Sequence, residues 1–368
     1  MKTKKHIMRL CAFLVVLIAA CSESPRVLNP NFEKEMVKAL NIKFVNSDTL
    51  YRTPFTSIIN DTIVGYKWHS YGENDKDYYF LQSLKNLQYK KIFKSNLGYI
   101  SPSYINELKE GCLYFGGPNV MNSVCTDGTT KRYFENTDIL YVNTVTLYKN
   151  KVVVCSMRGI YVLDIKTQKI LWHYRHGSVG FRRDNTFVFY GGVYLGCVDL
   201  DKISLVWEID KRKTNMKVAS KDNTIPSNTK MREDYHDTYY GISVSKSRDR
   251  FIDNTKRIID SKTGKVLFSD SKINHLETDG DEGYMGMIDS SAVYLNHDFK
   301  IKWALRYAKI MRSHNNYVIA VDKSEQYLLI IDKITGKVKN KILRQFKDNI
   351  GIVFIGDYIM FNGSNLYK

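Results

Sequence analysis

YVLDIKTQKILW, residues 161–172, sets two apolar runs on either side of a polar tip, and a tryptophan closes the second run. An Asp that opens a tight turn bonds its own backbone two residues on, so Asp164 reads as the end of one strand and the start of a hairpin tip. The same pattern returns as LGCVDLDKISLVW (195–207), RIIDSKTGKVLF (257–268), AVYLNHDFKIKW (292–303) and LLIIDKITGKVKNKI (328–342). Weaker copies stand earlier, as YYFLQSLKNLQYKKIF (78–93) and NSVCTDGTTKRYF (122–134), and a truncated one, GSNLYK, stands last.

With Asp164 as anchor, the equivalent positions fall near Ser83, Thr126, Asp199, Asp260, Asn296, Asp332 and Tyr367, in steps of 43, 38, 35, 61, 36, 36 and 35 residues. A period of this size, built of strands and turns alone, predicts an all-β propeller of four-stranded blades. The turn and core positions of the repeat are Asp164, Trp172, Asp199, Trp207, Asp260, Gly264, Trp303, Asp332 and Gly336. The tryptophans are expected in blade cores. The last anchor has no strand after it, and an open sheet edge is an aggregation hazard. The stretch 43–47, KFVNS, is the candidate to close that blade. This reading counts eight blades, or seven if the irregular first copies are divided differently.

The first residues carry a separate signal. A basic start, MKTKKHIMR, precedes LCAFLVVLIAA, an apolar stretch of signal-peptide length and too short to span a bilayer comfortably. It runs into Ile18-Ala19-Ala20-Cys21, a branched apolar residue, two small ones and a thiol, which resembles a bacterial lipobox. The resemblance implies cleavage before Cys21 and acylation of that residue; several acyl chains give stable anchoring where one is marginal. Ser22, rather than Asp, follows the Cys, and by the same resemblance points to the outer membrane with the body facing the periplasm. The expected division is 1–20 signal peptide, 21–42 lipidated tether with a short helix, and 43–368 propeller. The helix is read from NFEKEMVKALN (31–41), with an Asn cap and with Phe32, Met36, Val37 and Leu40 on one face, and is expected to pack on the body.

The hairpins Asp164-Ile165-Lys166-Thr167-Gln168-Lys169 closing at Trp172, Ser261-Lys262-Thr263-Gly264-Lys265 and Lys333-Ile334-Thr335-Gly336-Lys337 resemble the repeat of pyrroloquinoline-quinone (PQQ)-like propellers over roughly residues 75–368. The first has Gln where Gly is usual, and the other two lack the final Trp. That family hosts quinoprotein dehydrogenases and non-catalytic proteins alike, so fold alone does not choose between them. The dehydrogenase branch uses a vicinal Cys pair; none occurs here. The layout of lipobox, short tether and propeller is similar to the propeller lipoprotein of the outer-membrane β-barrel assembly machinery. The expectation is a non-catalytic, monomeric, cofactor-free scaffold or assembly factor that binds a protein in the envelope. An immunity protein neutralising an acidic secreted toxin is the alternative, and a quinoprotein dehydrogenase the third.

The formal charge of +17 favours an anionic partner. Nucleic acid fits that charge but not an envelope address. The long step between Asp199 and Asp260 places an insertion near 211–241, basic at its start (Lys211, Arg212, Lys213, Lys217) and aromatic at its end (Tyr235, Tyr239, Tyr240). It reads equally as a partner-binding arm or a surface insertion. HYRHG (173–177) supplies two histidines without further ligands at a metal-site spacing, so no metal is assigned. ETDGDEGYMG (277–286) lacks the alternating oxygens and final Glu of a calcium loop and reads as a connecting turn. Cys155 and Cys197 sit in apolar runs as buried thiols, and Cys112–Cys125 is the expected disulfide if one forms.

Overall fold

The computed structural model describes residues 29–47, 56–59, 62–67, 78–83, 89–93, 105–116, 121–135, 137, 139, 141–191, 194–210, 238–239, 242–344, 352–355, 358–361 and 365–368. Among these, the chain forms seven four-stranded sheets and one five-stranded sheet, all antiparallel; seven are meanders of sequence neighbours, and the last is completed by a strand from the start of the described chain. In chain order they are sheet I (56–93), II (105–133), III (142–174), IV (179–210), V (238–268), VI (273–306), VII (308–343) and VIII (352–367). Repeated meanders packed face to face are the arrangement of a β-propeller. One helix, α1 (Phe32–Leu40), precedes them. No described helix is long and apolar enough to cross a membrane.

The second and third strands of sheets III, IV, VI and VII, such as Lys151–Ser156 and Gly159–Asp164, are buried along most of their length. A sheet covered on both faces has no solvated side, so these strands read as continuous apolar runs such as VVVC and IYVL. The fourth strands, such as Ile170–Tyr174 and Val338–Leu343, are largely exposed and form the outer edge.

The turns follow the sequence reading. Asp164 Oδ1 accepts from the Lys166 and Thr167 amides (3.0 and 2.7 Å) and from the Thr167 hydroxyl (3.0 Å). Asp260 and Asp332 hold Thr263 and Thr335 in the same way. Asp199 accepts from Asp201 and Lys202, and Asn296 from Asp298 and Lys300. At the tip the chain must take a positive φ. Gly264 (+71°) and Gly336 (+69°) do so without penalty.

Those glycines have a second reason. A Cβ on Gly264 would lie 2.7 Å from the Trp207 ring, and one on Gly336 2.4 Å from Trp303. Each tryptophan therefore lies on the turn of the following sheet, and its indole N–H donates to the residue after that turn's Asp: Trp207 to the Ser261 carbonyl (3.1 Å) and Trp303 to the Lys333 carbonyl (2.9 Å). Before each such aromatic the outer strand carries a β-bulge, at the same place in sheets III to VII. The bulge turns the ring onto the next sheet. Trp303 is buried, but Trp172 and Trp207 are only half-buried, so they sit between sheets near the outer edge rather than in blade cores.

Residues 44–47 pair antiparallel with Asn365–Tyr367 and complete sheet VIII, as expected for 43–47. Lys43 and Lys368 exchange backbone hydrogen bonds of 2.8 and 2.9 Å. Helix α1 packs on the body, as its apolar face implies. Phe32, Met36 and Leu40 are buried between sheets VII and VIII against Ile330, Ile342, Phe354 and Phe361, while Val37 is only partly buried. The Asn31 side chain makes no cap. Asn29 instead accepts the Asn31 amide (2.9 Å) and donates to Glu35 and to the Leu343 carbonyl (both 3.1 Å).

Trp303→Ala is expected to cost about 3–5 kcal/mol, the range for a large buried aromatic. Trp172→Ala should cost clearly less, because its ring is part-solvated. Urea denaturation of both variants checks this, and equal losses would contradict the two placements.

Candidate functional site

The inner ends of the sheets are tied to one another by polar side chains. Glu107, on the first strand of sheet II, accepts the Leu147 amide of sheet III (3.3 Å). Arg182 of sheet IV donates to the Leu147 carbonyl (2.9 Å), and Arg248 of sheet V to the Arg182 carbonyl (2.6 Å). The Ser243 hydroxyl of sheet V meets Thr278 of sheet VI at 3.0 Å and accepts its amide at 2.9 Å. Burial pushes the Glu107 carboxyl above the usual range, against the Leu147 amide and the Arg182 and Arg248 charges, which pull it down.

A second cluster joins sheets VI and VII. Buried Lys333 gives its ammonium to Asp279 (2.9 Å) and Glu282 (3.1 Å). Asp279 also accepts from the Tyr294 hydroxyl (2.8 Å) and from Ser313. Burial, and then the Asp279 charge, raise the Tyr294 hydroxyl's pKa. The acidic turn 277–286 thus contributes a buried ion pair between sheets, which the sequence pattern hid because Lys333 stands 54 residues away. The signal that could have found it is Lys333 itself, a charged residue directly after the anchor Asp332 where Ile165 and Leu200 stand in other copies.

A third pair, Asp253 and Arg257, is fully buried within sheet V, with bonds of 2.9 and 2.6 Å to one carboxylate oxygen. The other oxygen takes the Thr255 and Arg257 amides and the Thr255 hydroxyl. Taking both charges out of water is repaid only by such complete pairing.

Of the residues singled out in the sequence, the turn and core set occupies equivalent places in successive sheets. The Asp164 and Asp332 carboxyls are held below the usual range, first by the Thr167 and Thr335 amides. His173 stacks on Tyr161 (4.2 Å) and contacts the Arg158 carbonyl (3.2 Å), while His176 stacks on Tyr194 (4.1 Å), so the two histidines face different neighbours. No group of three metal-ligating side chains occurs among the described residues. Cys112 and Cys125 are disulfide-bonded across neighbouring strands; Cys155 and Cys197 are buried free thiols. Desolvation raises both thiols, that of Cys197 to about 11. Cys21, Lys211, Arg212, Lys213, Lys217, Tyr235 and Tyr240 lie outside the described residues, as does the Tyr239 side chain; the Tyr239 backbone belongs to the extra strand of sheet V, Thr238–Tyr239.

No protein-family profile matches the chain, and no curated protein matches it. Solved structures similar to it include the computationally designed Ika8 protein (11% identity, TM-score 0.46, covering 88% of this chain and 96% of that one). Sqt1 of Chaetomium thermophilum, bound to the N-terminus of a ribosomal protein, is similar at 11% identity and TM-score 0.46, over 83% of this chain and 92% of its own. Dihydro-heme d1 dehydrogenase NirN, in complex with DHE, is similar at 12% identity and TM-score 0.46, over 84% and 69%. Nothing about the activity of this chain follows from likenesses of that size. The class defined by its own sheets is the β-propeller.

Two outcomes are expected. Glu107→Gln keeps the acceptor for Leu147 and removes a carboxylate whose folded pKa is raised. A raised carboxyl contributes stability below its unfolded pKa and loses it as pH rises through the folded value. The variant should therefore melt higher than the parent at neutral pH, with the gain fading below about pH 4; a constant difference across pH contradicts it. A thiol reagent should label neither Cys155 nor Cys197 in the folded protein and both after denaturation.

Proposed function

We propose that the chain is a lipid-anchored, eight-bladed, PQQ-like propeller that binds another protein as a scaffold or assembly factor in a bacterial envelope, anchored at the outer membrane with its body in the periplasm. The observation that carries this reading is how the charged groups inside the fold are used. Glu107, Asp279, Lys333, Asp253 and Arg257 all bond within or between sheets, whereas the outer strands present aliphatic side chains to solvent. A body whose internal charges tie sheets together, with apolar groups left outside, suits recognition by surface. The lipobox at Ile18–Cys21 and the bonded Cys112–Cys125 pair both favour an oxidising compartment outside the cytoplasm.

The basic balance, which stays at 51 − 38 = +13 once Lys2, Lys4, Lys5 and Arg9 of the leader are removed, favours a second reading, an immunity protein that meets an acidic toxin in the periplasm, where opposite charge would speed encounter. Both readings are tested by pull-down from native envelopes with the full-length acylated protein as bait. Outer-membrane assembly components define a scaffold. One acidic, secreted protein defines an immunity factor. No protein above the bead control refutes both.

A further inference from the structure

The outer strands of sheets III to VII each carry an exposed aliphatic residue just before the bulge, Ile170, Leu205, Val266, Ile301 and Val338, which is the first residue of the strand in all but sheet IV, where Ser204 precedes it. The bulge residue comes next, and here the copies diverge. In sheets VI and VII it is Lys302 and Lys339. In sheets III, IV and V it is Leu171, Val206 and Leu267. Leu171 is 42% exposed and Val206 50%.

Sheets VI and VII show that the bulge accepts a lysine, so packing does not require an aliphatic there. A charge at that position is also the ordinary protection of an open edge against pairing with another chain. Sheets III and IV forgo it, and carry the exposed pairs Ile170-Leu171 and Leu205-Val206 at equivalent positions of successive outer strands. The turns that lead into these strands carry exposed lysines: Lys166 and Lys169, Lys202, then Lys262 and Lys265. Among the described residues none of these five is in an ion pair, and the turns of sheets III and V each hold two lysines against one Asp. Asp201, in the turn of sheet IV, is bound by Lys149 at 2.7 Å. Glu208, two residues beyond Val206 on the same strand, is engaged by the Tyr174 hydroxyl at 2.5 Å. Exposed aliphatics flanked by turns with an excess of unpaired cations are the composition of a surface that meets an acidic protein.

We propose that the outer edge of sheets III–V is the docking surface, and that its occupant is a protein presenting apolar side chains bordered by carboxylates. This rests on the protein-binding reading above. A lipid surface is disfavoured by where the chain joins the body. Asn29 is bonded to the end of the sheet VII outer strand, and Cys21 lies eight residues before it, a reach of at most about 28 Å. In the eight-bladed ring proposed above, the tether leaves the body beside sheet VII, and sheets III and IV lie across the ring from it.

The test places a photo-crosslinking residue at 171 or 206, and for comparison at 302 or 339, in full-length acylated protein in its native envelope. A discrete protein adduct is expected from 171 and 206 and not from 302 or 339, and the adduct partner should be acidic. Purified, that partner should bind the unmodified protein, more weakly as salt rises, and lose at least tenfold in affinity to the Leu171→Lys/Val206→Lys variant. This variant copies sheets VI and VII, and its thermal melt reports that folding is retained. Equal adducts from 302 and 339, adducts to lipid alone, or undiminished binding by the folded variant each overturn the proposal. A pull-down partner that still binds the variant overturns this surface while leaving protein binding in place. No partner in either experiment overturns both.

Discussion

The contact between the aromatic at the end of one repeat and the turn at the start of the next outer strand is the constraint on which the rest depends. It asks four things of each copy: an Asp or Asn to hold the turn, a residue that tolerates positive φ at the tip, a bulge, and a flat ring after it. Trp207 on Gly264 and Trp303 on Gly336 meet all four, and each indole N–H closes on a carbonyl of the receiving turn. A buried indole needs such a partner, so the contact is directional as well as apolar. Because sheets IV and VI lend their rings to the turns of the sheets that follow, these repeats are not complete alone. Stability then resides in neighbour interfaces, as in other repeat architectures.

The irregular copies show what happens when one of the four is missing. Sheet II ends in Tyr133-Phe134 instead of Trp, and the next turn carries Gln168 where Gly would stand. With no indole above it the tip has room for a side chain, and the Gln168 side-chain oxygen Oε1 accepts the Phe134 amide at 3.0 Å. Sheet V offers Phe268, and the next tip answers with Phe299, the two rings stacked at 5.4 Å. Sheet VII has Asn340 at the ring position. There helix α1 takes over, filling the space toward sheet VIII with Phe32, Met36 and Leu40. Glu33 on the same helix accepts from both Asn365 and Tyr367 at 2.8 Å, and burial with that carboxylate pushes the Tyr367 hydroxyl up to about 12. The helix thus holds the last strand from one side while residues 44–47 hold it from the other.

Polar chemistry inside this body has a structural logic. Neighbouring first strands approach closely, and their free backbone groups and side chains must find partners away from water. Glu107, Arg182, Arg248, Ser243 and Thr278 supply them, and the Lys333–Asp279 pair does so between sheets VI and VII. What the interior uses for cohesion is then unavailable for recognition, which shifts attention to the outer edge, where copies that share a backbone differ in side chains.

The hairpin period, the anchors from Asp164 to Asp332 and the closing strand near 43–47 were legible in the sequence, because a turn held by its own Asp and a strand buried on both faces leave local marks. The helix face and its packing on the body were legible too. Only the tertiary structure decided which sheets α1 lies between, that Trp172 and Trp207 lie half-buried between sheets, that Asp279 pairs with Lys333, and that Leu171 and Val206 are exposed. Each of these depends on residues brought together from distant repeats, and a linear pattern records the period of a repeat but not which side chains meet across its interfaces.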